Sequence, residues 1–138
     1  MEKMSIILDT SFLLALNNKH DINYAISQVI KKRIQEGEFG QMYISDYIFD
    51  EFMTLLTARA ISSEKIISIG NTLLSDQKIK MLEVNMGVFF QSWEQFKKLS
   101  KLSFTDCTSI ILSEEFNINN IASFDSDFDR IKEIHIIC

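Results

Sequence analysis

The chain has 138 residues, a net charge of −5, a hydrophobic fraction of 46% and a charged fraction of 24%, the balance of one globular unit, residues 1–138, that can bury a core without disulfides. Two cysteines, Cys107 and Cys138, make no disulfide framework, and no apolar run is long enough to cross a bilayer or serve as a secretory leader. These features exclude a secreted disulfide scaffold and a membrane protein, so a cytoplasmic protein with no membrane partner is expected.

Proline is absent and glycines number only four, so the chain offers no linker. Ser5–Leu8 ("SIIL") has the length and apolarity of a short buried strand, and a brief helical stretch follows it. Asp21 can cap a helix whose inward side is Ile22, Ala25, Ile26, Val29 and Ile30. Gln41–Ser45 ("QMYIS") reads as a second strand. Ser45 or Asp46 then opens a helix with Ile48, Phe49, Phe52, Leu55 and Leu56 inside.

A further helix is expected over Ser63–Leu74, with Ile66, Ile69 and Leu73 in register, before a strand at Ile79–Val84. Asn85–Lys101 carries an apolar stripe of Met86, Phe89, Phe90, Trp93, Phe96 and Leu99, whose helical spacing suits a core or a dimer face better than a base-stacking platform. Asp106–Phe116 is the next helix, capped by Thr105, with Cys107, Ile110 and Ile111 inward. Asn120–Phe124 ("NIASF") and Glu133–Ile137 ("EIHII") are the last strands, separated by an acidic turn. Short strands alternating with helices predict a three-layer α/β/α sandwich around a mainly parallel sheet of about four to five strands.

In such sheets ligands bind beyond the carboxyl ends of the strands, where strand order reverses. Asp9 directly follows the first strand and Asp125 directly follows "NIASF". Glu51 lies in the first half of the helix after the second strand, and Asp106 in the first turn of its helix. Each has a plain structural alternative: Asp106 a helix-dipole partner worth about 0.3–1 kcal/mol, Glu51 an exposed helix residue, Asp125 a turn former beside Ser126. Asp9 is hardest to dismiss, because Thr10 and Ser11 can cap the following helix without it. As an ordered set, the four acids suggest a common site.

"IILDTSFLLAL", "DEFMTLL", "FTDCTSIIL" and "IASFDSDFDRI", in this order over nearly the whole chain, resemble the PIN-domain family. That family includes VapC-type toxins of toxin–antitoxin modules and other RNA-processing nucleases. The resemblance implies that Asp9, Glu51, Asp106 and Asp125 are metal-binding acids, with Asp127 a second acid of the last motif. Thr10 or Ser11 matches the small hydroxyl residue after the first acid. The Glu51 motif is degenerate, and Asp50 or Asp46 can substitute for it. Cys107 stands where the family often has a smaller residue.

Crowded carboxylates repel by roughly 1 kcal/mol per pair at about 4 Å in water and about 4 kcal/mol at intermediate dielectric. Mg²⁺ or Mn²⁺ would remove that cost, since both suit carboxylate-and-water shells. No Cys/His set has zinc spacing, and neither His20 nor His135 lies in a catalytic pattern. Ser11 lacks a His partner, and an aspartyl-phosphate role for Asp9 lacks the second acid two residues on. The implied activity is metal-dependent hydrolysis of RNA by activated water, most simply as the toxin of a type II toxin–antitoxin pair, with RNA as substrate, a small antitoxin as partner and a homodimeric state. The alternatives are a non-catalytic PIN-like binding or scaffold module, and an RNA-maturation or decay nuclease without an antitoxin. Against an RNA partner stands the acidic balance, relieved only by small basic sets such as Lys31–Arg33, Lys78 with Lys80, and Lys97, Lys98 with Lys101.

Overall fold

The computed structural model describes residues 4–99, 101–131 and 133–138. The elements in chain order are β1 (Ser5–Leu8), α1 (Thr10–Leu16), α2 (Tyr24–Gln35), β2 (Gln41–Ser45), α3 (Asp46–Ala58) and α4 (Ser63–Ser75). They continue with β3 (Ile79–Leu82), α5 (Met86–Lys98), α6 (Phe104–Glu115), β4 (Asn120–Ala122), a 3-10 turn (Ser126–Arg130) and β5 (His135–Ile137). The five strands pair in parallel in the order β3-β2-β1-β4-β5, with Ile7 opposite both Tyr43 and Ile121. Helices cover both faces, giving the expected three-layer sandwich.

Parallel strands need both faces buried, which is why β1 reads as unbroken apolar sequence rather than an alternation. Ile6, Ile7, Ile44 and Ile121 form the centre of the core with Phe12, Phe52 and Phe128. One glycine is dictated by contact. Gly40 enters β2 at φ +71°, and a side chain there would overlap the Met4 carbonyl oxygen.

Five expectations need correction. Helix α2 begins only at Tyr24, because Asp21 caps the preceding turn by accepting from the Asn23 N–H at 2.8 Å. Its buried side is Ser27, Ile30 and Ile34, whereas Ile22 is 93% exposed and Ile26 and Val29 face solvent. Ser27 can sit inside because its hydroxyl donates to the Tyr24 carbonyl at 2.6 Å. On α5 the inward residues are Val88 and Ser92, so the stripe is not core: Met86, Phe90, Trp93 and Phe96 remain exposed while Phe89 and Leu99 are partly covered. Helix α6 is capped by Ser103 rather than Thr105. Strand β4 ends at Ala122, because the N–H groups of Phe124 and Asp125 turn to serine hydroxyls instead of the sheet ladder.

Candidate active site

The chain runs β1, β2, β3 outward from the sheet centre, then crosses back through α5 and α6 to lay β4 against the other side of β1. Strand order therefore reverses between β1 and β4, and the crevice lies beyond their carboxyl ends. Asp9 follows β1 there, and the segment Ser123–Asp125 follows β4.

Asp9 is only 2% exposed. It occupies the N-cap position of α1, yet its side chain makes no capping hydrogen bond. Its Oδ2 instead accepts from the Ser123 hydroxyl at 2.8 Å and the Ser11 hydroxyl at 3.0 Å. Its Oδ1 is buried with no hydrogen-bond partner. Burial pushes the Asp9 carboxyl up to about 6 from an ordinary 3.8; the two serine hydroxyls pull it down, and the charge of Glu51 pushes it further up. A carboxylate so placed needs something for its bare oxygen.

Asp106 is 5% exposed and sits at the third position of α6 within a reciprocal cap. Its Oδ2 accepts from the Ser103 N–H at 3.2 Å, and its own N–H donates to the Ser103 hydroxyl at 3.0 Å. Burial pushes it up to about 8; the Asp9 charge adds to the rise, the Ser103 backbone bond opposes it, and Asp125 adds a smaller push. Burial also raises the neighbouring Cys107 thiol to about 11, with the Asp106 charge adding to it, so this cysteine is a protonated packing residue near neutral pH.

Asp125 is half-buried, and its Oδ1 accepts from the Asp127 N–H at 2.9 Å, so it caps the 3-10 turn while facing the same crevice acids electrostatically. Asp127 supplies that N–H and is half-buried. Glu51 is half-buried on α3 and close enough to Asp9 to act on its titration. The two substitutes considered for it have other surroundings. Asp46 Oδ1 accepts from Tyr47 N at 2.9 Å and Val84 N at 3.0 Å, tying α3 to the segment after β3, and Asp50 is exposed. Thr10 is buried with its hydroxyl unpartnered.

Thus Glu51 acts on Asp9, and Asp9 and Asp125 both act on Asp106, so the four acids are linked pair by pair through their charges. Among the described residues, no three acidic, histidine or cysteine side chains already form a closed set of metal ligands. The donors nonetheless suit a hard divalent cation: they are all carboxylate oxygens, and one of them, Asp9 Oδ1, is buried and unclaimed.

Ser123 is the residue that the sequence reading passed over. It lay inside an apolar run assigned to a strand, and its only signal was a small hydroxyl in "IASF" two residues before an acid. Ser103 was also legible, as the first residue of "SFTD", a hydroxyl three residues before an acid.

A VapC ribonuclease of Archaeoglobus fulgidus is 25% identical over 133 residues, covering 91% of this chain and 80% of that protein. The crystal structure of the VapC20 toxin of Mycobacterium tuberculosis, described as cleaving the sarcin-ricin loop, superposes with a TM-score of 0.78 at 26% identity, over 92% of this chain and 95% of that one. A VapBC2 complex of Rickettsia felis bound to promoter DNA shares the fold, with a TM-score of 0.70 at 16% identity and coverage of 97% and 98%. The PIN domain family model matches residues 6–134, a span that contains all four crevice acids and both serines that hold Asp9, and the chain accordingly belongs to the PIN-domain family.

Proposed function

We propose that this protein is an endoribonuclease that uses Mg²⁺ or Mn²⁺ to hydrolyse RNA, and that it is the toxin of a type II toxin–antitoxin module. The observation that carries this reading is Asp9: a buried carboxylate with one oxygen held by two hydroxyls and the other left bare, in the field of Glu51 and beside Asp106. Relatives named as VapC ribonucleases and toxins point the same way.

Asp9, Asp106 and Asp125 would hold the cation, with Glu51 and Asp127 completing its acidic surroundings. When bound, the ion supplies charge neutralisation for the scissile phosphate and activation of the attacking water. Asp106, whose carboxyl burial raises to about 8, would have to lose its proton to serve as a ligand. Glu51, half-buried on α3, would be the group that accepts a proton from water. Cys107 is protonated and Ser11 has no histidine donor or acceptor beside it, so no covalent enzyme intermediate is formed.

The working state in this reading is a homodimer in the cytoplasm, joined through the exposed apolar face of α5. A small antitoxin is the natural partner. Its apolar segment fits the groove between α2 and α4, lined by Leu16, Ile34, Ile69 and Leu73, consistent with the toxin–antitoxin complexes that share this fold. The deciding experiment is RNA cleavage with mapped ends by wild type and Asp9→Asn, with Mg²⁺ or Mn²⁺ against a chelator. Cleavage should vanish with the chelator and fall by about 10³-fold or more in the variant, a loss of about 4 kcal/mol of transition-state stabilisation. Metal-independent cleavage, or full activity of Asp9→Asn, would reject the proposal.

A further inference from the structure

The serine pair around Asp9 has a defined direction of hydrogen bonding. The Ser11 hydroxyl accepts from the Phe124 N–H at 2.9 Å, and the Ser123 hydroxyl accepts from the Asp125 N–H at 3.0 Å. Each hydroxyl has one proton to give. The Ser123 proton goes to Asp9 Oδ2, its shorter contact at 2.8 Å against 3.1 Å to Ser11 Oγ. Ser11 likewise reaches Oδ2 at 3.0 Å. One carboxylate oxygen is therefore occupied from two sides, and the same two hydroxyls grip the backbone that carries Asp125.

We infer that Ser11 and Ser123 are positioning residues that select Oδ1 of Asp9 as the metal-facing oxygen and set the spacing between Asp9 and Asp125. This inference rests on the metal-dependent reading above. It follows from three features. Oδ1 is the buried oxygen with no partner. The serines come from two elements on either side of the switch point, α1 and the segment after β4, so they fasten the two acid-bearing segments together. The serine oxygens in turn accept the N–H groups of Phe124 and Asp125, so the hydroxyls that hold Asp9 also hold the backbone that carries Asp125. Supporting hydrogen bonds of this kind around a metal ligand change metal affinity by about 10- to 100-fold.

The test is Mn²⁺ binding to the full chain, read by electron paramagnetic resonance at constant pH, with RNA cleavage followed as a function of Mn²⁺ concentration. Wild type, Asp9→Asn, Ser11→Ala, Ser123→Ala and the control Ser92→Ala are compared, each checked for folding by circular dichroism. Ser92 is likewise fully buried, but its hydroxyl donates to the Val88 carbonyl within α5. Ser11→Ala and Ser123→Ala should each weaken Mn²⁺ binding by about tenfold or more. Their cleavage should return towards the wild-type maximum at high Mn²⁺, and Ser92→Ala should bind as wild type does.

Wild-type affinity in both serine variants would overturn the inference while leaving the metal centre standing, and so would an equal loss in Ser92→Ala. No Mn²⁺ binding by wild type, or undiminished binding by Asp9→Asn, would overturn the metal-dependent reading and this inference with it. Should Ser123→Ala fail to fold, Ser11→Ala, at a half-buried position, decides the matter alone.

Discussion

The Asp9 crevice and the outer face of α5 depart from ordinary folding chemistry in opposite directions. In the crevice, charge is taken out of water: Asp9 and Asp106 are nearly inaccessible, and one Asp9 oxygen has no partner. On α5, apolar surface is left in water, with Met86 63% exposed, Phe90 59% and Trp93 45%. Burying a carboxylate without a partner and exposing a run of large apolar side chains both cost free energy in the isolated chain. The difference teaches what kind of molecule each region awaits. A desolvated acid set calls for positive charge, and an aromatic helix face calls for another apolar surface.

The crevice half of this contrast gives the largest expected effect. Asp9 and Asp106 carry pKa values raised to about 6 and about 8 from 3.8. The metal-free folded chain therefore holds protons that the unfolded chain releases near pH 4. The contribution of these two groups to stability should be greatest below that value and should be lost as pH rises towards about 8. Asp106→Asn should flatten this slope and raise the stability of the chelator-treated protein near pH 8 by on the order of 2 kcal/mol. Chemical denaturation across that pH range checks the sign. A metal-free protein that gains stability on going from pH 5 to pH 8, with the variant showing the same gain, would break the comparison at its charged end.

The α5 half makes a prediction of similar size on a different quantity. Trp93 stacks on Phe96 with ring centroids 5.7 Å apart, and Phe96 in turn meets Phe104 edge-on at 6.1 Å. Trp93→Glu should weaken self-association by about 2 kcal/mol, roughly thirtyfold in Kd, and leave the monomer fold intact. Light scattering across a micromolar dilution series reads this directly. A wild type that is monomeric throughout would show that the face does not join two copies of this chain.

Smaller changes sharpen the picture. Ser103→Ala removes one half of the reciprocal cap on α6 and should cost about 1 kcal/mol in thermal unfolding. The backbone N–H from which the Asp106 carboxylate accepts survives the substitution, so the loss falls on the bond between the Asp106 N–H and the missing hydroxyl. Ile22→Ser lies at the other extreme. Ile22 is 93% exposed, so its replacement should leave stability within about 0.5 kcal/mol of wild type. A large loss in unfolding experiments would mean that the N-terminal approach to α2 packs in solution.

Much of this architecture was legible because its signals are local. The run "SIIL" identifies a strand buried on both sides, and Phe52 and Leu56 mark the inner face of α3 by helical spacing alone. Asp9 stood out because it ends an apolar run, although the structure puts Asp9 itself, and not Thr10 or Ser11, at the N-cap position of α1, with no side-chain capping bond. The parts that escaped depend on neighbours remote in sequence. Ser123 looked like strand filler because its partner Asp9 is 114 residues away. Asp46 looked interchangeable with Glu51 until Val84, 38 residues on, claimed its oxygen. The face of α2 was misjudged because apolar residues surround that helix on several sides, and the turn before it, held by Asp21, decides where it starts. Thr105 and Ser103 are equally good caps by type, and only the position of the first turn of α6 separates them.

The strand order carries a consequence for how the molecule comes into being. Synthesis delivers β1 and Asp9 first, but the Ser123 hydroxyl that completes the Asp9 surroundings comes 114 residues later, beside the Asp125 N–H that it accepts from. A partial product lacking β4 holds Asp9 by Ser11 alone, without the Ser123 hydroxyl and without Asp125 beside it. A fragment ending before Asn120 that still cleaves RNA would show that the first acid works without them.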